Sequence, residues 1–139
     1  MPRTRLETRA RARVLQALYA WDLRGEEPLE RIATQLWDDL SVSADERRVA
    51  GPLVRVLAQH ADTLDAELSE VTANWRLERL AAIDRSVLRL GAAELQQGQT
   101  PPRVVIQEAV HLAERYGTLK SAKFVNGVLD ALARRMGRL

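Results

Sequence analysis

Apolar residues along this chain recur three, four and seven positions apart, the spacing of one face of an α-helix, and nowhere in the strict alternation of a half-buried strand. From about residue 4 to 24, Leu6, Ala10, Val14, Leu15, Leu18 and Trp21 make one stripe, opened by a Thr4–Glu7 capping-box pattern and closed at Gly25. Pro28 suits the first turn of a second helix carrying Leu29, Ile32, Ala33, Leu36, Trp37 and Leu40. Ser43 and Glu46 form another capping box, opening a long helix to about Val71 that Pro52 should bend or delay. A break near Asn74 leads into one or two helices between Trp75 and Gln97. After the loop "GQTPPR" (98–103), one helix runs from about Val104 to Tyr116, stopped by Gly117, and a last one, capped by Ser121, runs to about Arg135. The pattern predicts an all-α protein of six to seven helices. It forms one domain, 1–139, in two small packed bundles of about 1–73 and 74–139.

Charge changes this picture more than composition does. Residues 1–13 hold five arginines against Glu7, a local charge of +4, and residues 115–139 hold six basic residues against Asp130, +5. The stretch 14–114 has ten basic and seventeen acidic residues, −7. Basic ends around an acidic middle call for two kinds of partner, one polyanionic and one basic.

Chemistry for catalysis is sparse. The chain has no cysteine, two histidines (His60 and His111) without ligand spacing, and no glycine-rich phosphate loop, so neither metal nor cofactor is expected. The arginine-rich N-terminus lacks a following apolar region, and no apolar stretch nears the roughly 18–20 residues that span a bilayer. The expectation is a soluble, cytoplasmic protein that binds rather than catalyses.

Two stretches carry a binding chemistry. Arg3, Arg5, Arg9, Arg11 and Arg13 spread around the first helix on the faces the apolar stripe leaves free. Arginine forks onto phosphate and stacks on bases, although a solvated helix end would read the same way. In "KSAKFVNGVLD" (120–130) the chain's one phenylalanine lies among lysines. With Phe124 at 0°, Val125, Val128, Leu129 and Leu132 fall at about 100°, 40°, 140° and 80°, whereas Lys120 and Gly127 fall near −40° and −60°. Phe124 is therefore at the stripe's edge, beside an ammonium and a residue without a side chain. That is the layout of a base-stacking platform, or else Phe124 is core and Gly127 permits close helix packing.

Four blocks, "VLQALYAWDL" (14–23), "DRSVLRLGAAEL" (84–95), "PPRVVIQEAVHLAERYG" (101–117) and "KFVNGVLD" (123–130), resemble in order and spacing the NusB family of bacterial transcription antitermination factors. The resemblance implies a two-bundle helical fold that binds single-stranded, boxA-type RNA of ribosomal RNA leaders together with NusE, a basic ribosomal protein. Other Nus factors and RNA polymerase join through that pair. It implies an RNA surface at Arg9, Arg11, Tyr19, Lys123 and Phe124, with Arg3, Arg5, Arg13 and Lys120 beside them, and a NusE contact at Asp84 and Arg85. Some relatives form homodimers that cover the RNA surface, and the sequence leaves that open. A ribosomal RNA methyltransferase uses the same fold beside a catalytic domain with a cofactor loop and a cysteine, features these 139 residues lack. A plain protein-interaction adaptor is the third reading.

Overall fold

In the computed structural model, which describes residues 5–72 and 76–139 (Arg5 by its backbone alone), the chain folds into six α-helices. They are α1 (Arg5–Arg24), α2 (Leu29–Asp39), α3 (Ala44–Val71), α4 (Ala82–Gln97), α5 (Pro102–Tyr116) and α6 (Ser121–Arg135), with a single 3-10 turn at Leu77–Arg79 before α4. The expected helix order is what forms. Thr4 and the break at Asn74, and with it the boundary between the two expected subdomains, lie outside the described residues.

The local signals act in several ways. Gly25 ends α1 at φ +70°, a conformation that costs glycine little, and its N–H reaches the Trp21 carbonyl at 2.8 Å. Pro28 stands one residue ahead of α2, its carbonyl accepting from the N–H groups of Arg31 and Ile32. Ser43 caps α3 by accepting from the Glu46 N–H at 3.2 Å. Pro52 does not break α3. It removes the donor for the Arg48 carbonyl on an exposed turn, where water can replace it, and the non-helical dihedrals come eight residues later at exposed His60. Ser121 does not cap α6 either: its Oγ accepts from the Thr118 N–H at 2.9 Å and so ties down the loop before the helix.

α4 is the helix around which the others pack, touching α1, α3, α5 and α6. From Ser86 to Leu95 every residue except Arg89 is buried, so α4 has no solvent face in that stretch. Buried apolar residues from each of the six helices join one cluster. One close approach is where α4 crosses α6. A Cβ on Gly91 would lie 2.6 Å from Cδ1 of fully buried Leu129, inside van der Waals contact. The glycine that permits close helix packing is thus Gly91. At Gly127 a Cβ would meet nothing within 4 Å.

Two substitutions test this crossing. Gly91→Ala is expected to destabilise by up to about 2 kcal/mol, because overpacking outweighs the gain in helix propensity. In a Leu129→Ala background the same change should become neutral or stabilising by up to about 1 kcal/mol, a coupling that a denaturant double-mutant cycle reads directly.

Candidate nucleic-acid interface

The arginines of α1 divide into two groups with opposite fates. Arg11 follows the apolar positions Val14, Leu15 and Leu18 at i, i+3, i+4 and i+7, so it points into the core and is 5% exposed. Its guanidinium forks onto Glu94 of α4, Nε to Oε2 at 2.9 Å and Nη2 to Oε1 at 2.8 Å, and Nη1 reaches Glu108 of α5 at 3.0 Å. Thr8 donates to the same Glu108 oxygen at 3.1 Å. Burial pulls the Arg11 pKa down, but hydrogen bonding and charge from Glu94, with Glu108 and Glu7, more than offset it, leaving the group raised. The expectation that Arg11 contacts RNA is corrected here: the side chain is buried, and Nε, Nη1 and Nη2 each donate to one of two buried carboxylates.

Arg9 and Arg13 lie one turn apart on the outer side. Both give their Nε–H to Glu46 of α3, Arg9 to Oε2 at 3.3 Å and Arg13 to Oε1 at 3.0 Å. The Arg13 hydrogen bond is the main cause holding the Glu46 carboxyl below its usual range, helped by Arg9 and opposed by burial. Arg9 and Arg13, with Thr8, Ala12 and Gln16, form one wall of a groove of about 210 Å³. The other wall is the end of α5: His111, Leu112, Arg115 and Tyr116. Arg115 lies over the Tyr116 ring, 5.5 Å from its centroid. Chain connectivity keeps Lys120, four residues on, within about 14 Å of Tyr116. Lys120 and Lys123 are exposed, and Phe124 is half-buried at the margin of the core. Tyr19 is 39% exposed, further along α1. Arg3 and the Arg5 side chain lie outside the described residues.

A second ionic cluster joins α1, α3 and α4. Arg85 forks onto Asp22, Nε to Oδ1 at 2.9 Å and Nη2 to Oδ2 at 2.5 Å, and donates through Nη1 to the Leu77 and Leu80 carbonyls. Arg89 forks onto Asp65 at 2.9 Å, touches Asp22 at 3.2 Å and lies over Trp21. Arg85 is therefore ion-paired within the fold while remaining part-exposed. Asp84 beside it is part-exposed in the first turn of α4.

Sequence reasoning missed Glu46, Glu94, Glu108 and the groove residues His111, Arg115 and Tyr116. For Glu94 and Glu108 a signal existed, since both interrupt buried apolar stripes on helices that also carry Leu95 and Leu112. A carboxylate there needs a cation, and Arg11 interrupts a stripe in the same way. For the groove no such signal exists, because its walls come from helices about 100 residues apart.

Two outcomes follow. Arg11→Met should destabilise by about 3–5 kcal/mol, since it strands two buried carboxylates, whereas Arg9→Ala should cost under about 1 kcal/mol, both read by chemical denaturation. The hydrogen bonds and charge of Arg85, aided by Arg89, hold the Asp22 carboxyl below its usual range. A depressed folded pKa stabilises above the unfolded value, near 4, and that stability is lost as pH falls through the folded one. Asp22→Asn should therefore melt lower at pH 7 and lose less on acidification from pH 5 to pH 3 than the parent chain.

The model of the NusB family matches residues 8–134. The transcription antitermination protein NusB of Anaeromyxobacter dehalogenans (strain 2CP-1 / ATCC BAA-258) is 43% identical over 131 residues, covering 94% of this chain and 92% of that protein. Among solved structures, NusB of T. maritima has a TM-score of 0.83 at 34% identity, covering 96% of this chain and 93% of that one. The structure of antitermination factors NusB and NusE in complex with dsRNA has a TM-score of 0.85 at 30% identity, covering 96% and 99%. With the helical fold they share and the extent of these matches, this chain belongs to the NusB family of transcription antitermination proteins.

Proposed function

We propose that this chain binds single-stranded, boxA-type RNA of ribosomal RNA leader transcripts together with NusE, and so suppresses premature termination by RNA polymerase. The observation that carries the reading is the groove between α1 and the end of α5. There Arg9 and Arg13 face Arg115 and Tyr116 a short stretch of chain ahead of Lys120, Lys123 and Phe124. Cations from both ends of the chain thus share one side of the molecule, the arrangement a phosphate backbone requires. Phe124 supplies an aromatic surface, and exposed Gly127 one turn away leaves room for a base to approach it. The Phe124 ring also packs against the core, so platform and packing are two faces of one side chain.

The NusE contact is assigned to the acidic middle of the chain, with Asp84 as its marker. Asp84 has one buried carboxylate oxygen without a hydrogen-bond partner among the described residues, whereas its neighbour Arg85 is paired with Asp22. No described helix is long and apolar enough to cross a membrane, in keeping with a site of action on nascent RNA.

Fluorescence titration with a boxA-type RNA, with and without NusE, tests the reading. Binding should weaken steeply with salt and tighten when NusE is present. Absence of saturable binding at physiological salt would leave only the adaptor reading. Phe124→Leu keeps an apolar side chain against the core but removes the aromatic face, and should cost about 1–3 kcal/mol in RNA affinity. Gly127→Ala should stabilise the fold by up to about 1 kcal/mol while weakening RNA binding, because the new methyl group occupies the approach to the ring.

A further inference from the structure

Glu46 sits where simple electrostatics would not place it. Its carboxylate is bonded to the two arginines that line the groove of the proposed polyanion face. The side chain is 10% exposed, whereas those of Arg9 and Arg13 are 52% and 28% exposed. The carboxylate is itself anchored, since Ser43 accepts from the Glu46 N–H at 3.2 Å and its hydroxyl donates to Oε2 at 3.4 Å.

Only the Nε–H of each arginine is given to Glu46. The Nη groups, the part of a guanidinium that grips phosphate, make no hydrogen bond to Glu46. Arg13 is held further: its carbonyl accepts from Trp37 Nε1 at 3.3 Å and its Nη1 donates to Gln16 at 3.3 Å. One carboxylate on α3 thus sets two long, flexible side chains of α1 in a row along the groove before any ligand arrives.

We propose that Glu46 is a positioning residue for RNA. It orders Arg9 and Arg13 so that their outer Nη groups receive backbone phosphate in the α1–α5 groove, opposite Arg115. The inference rests on the RNA-binding reading above and names the part of the fold that presets the phosphate contacts. A free arginine loses much side-chain entropy when it engages a ligand, and holding its Nε in advance removes part of that cost.

The test turns on a sign. If the Glu46 charge merely repels RNA, or locks the arginines away from it, Glu46→Gln should bind RNA as well as or better than the parent chain, because a negative charge has gone. If Glu46 positions them, Glu46→Gln should bind roughly five- to thirtyfold more weakly at fixed salt, although the protein is more positive. The same change in an Arg9→Ala, Arg13→Ala background should then have no further effect on RNA affinity. Equal or tighter binding by Glu46→Gln, or an undiminished effect without the two arginines, overturns the proposal. If Glu46→Gln lacks a cooperative melt, the parent protein decides through NMR relaxation of its arginine Nε–Hε groups without RNA. Arg9 and Arg13 should be markedly more ordered than exposed Arg55, and equal mobility overturns the proposal. Failure of the parent chain to bind RNA would instead strike the functional reading.

Discussion

The fold depends on one buried cation. Arg11 reaches from α1 to a carboxylate on α4 and another on α5, and all three side chains are almost wholly removed from solvent. Taking such groups out of water costs several kcal/mol per ion, which attraction offsets only when the donors are well placed. Here the fork on Glu94 is bidentate, and Glu108 is shared with Thr8. The geometry is demanding, so the angle and height of α1 against α4 and α5 have little freedom.

That constraint shapes the outer surface. With Arg11 pointing in, residues 9 and 13, each two positions away and some 200° round the helix, must point out. They turn toward α3, where Glu46 meets them, and toward the end of α5, which completes the groove. A stabilising ion network and a candidate ligand surface are thus built from alternate arginines of the same "RARAR" run. The second cluster, Asp22 with Arg85, Arg89 and Asp65, repeats the device at the other end of α1. Arginines at both ends therefore position the helix, and membership of an arginine-rich stretch does not by itself identify an RNA contact.

Much of the candidate site could be read in advance at the level of segments and little at the level of side chains. The basic ends, the aromatic residue at a stripe's edge and the glycine beside it follow from composition and a 100° step. Which arginine faces a phosphate does not. A wheel drawn from α1 alone puts Arg11 on the apolar side, away from Arg9 and Arg13, but does not name the groups that receive it. Glu94 and Glu108, which claim Arg11, come 83 and 97 residues later. Arg85 is paired in the same manner by Asp22, 63 residues earlier.

By itself the sequence determined the helices, their order, the cap at Ser43, the stops at Gly25 and Gly117, and the separation of charge between the ends and the middle. Each of these is decided by neighbours within about one turn or by simple counting. Tertiary structure alone decided that α4 is enclosed, that Gly91 rather than Gly127 marks a close crossing, and that Arg9 and Arg13 share Glu46. It also decided that the last turns of α5 stand across a groove from the first turns of α1. Those outcomes depend on which apolar faces meet, and hydrophobic burial is non-directional. Apolar pattern commits a helix to the core, and only the polar groups caught inside settle its partner and its register.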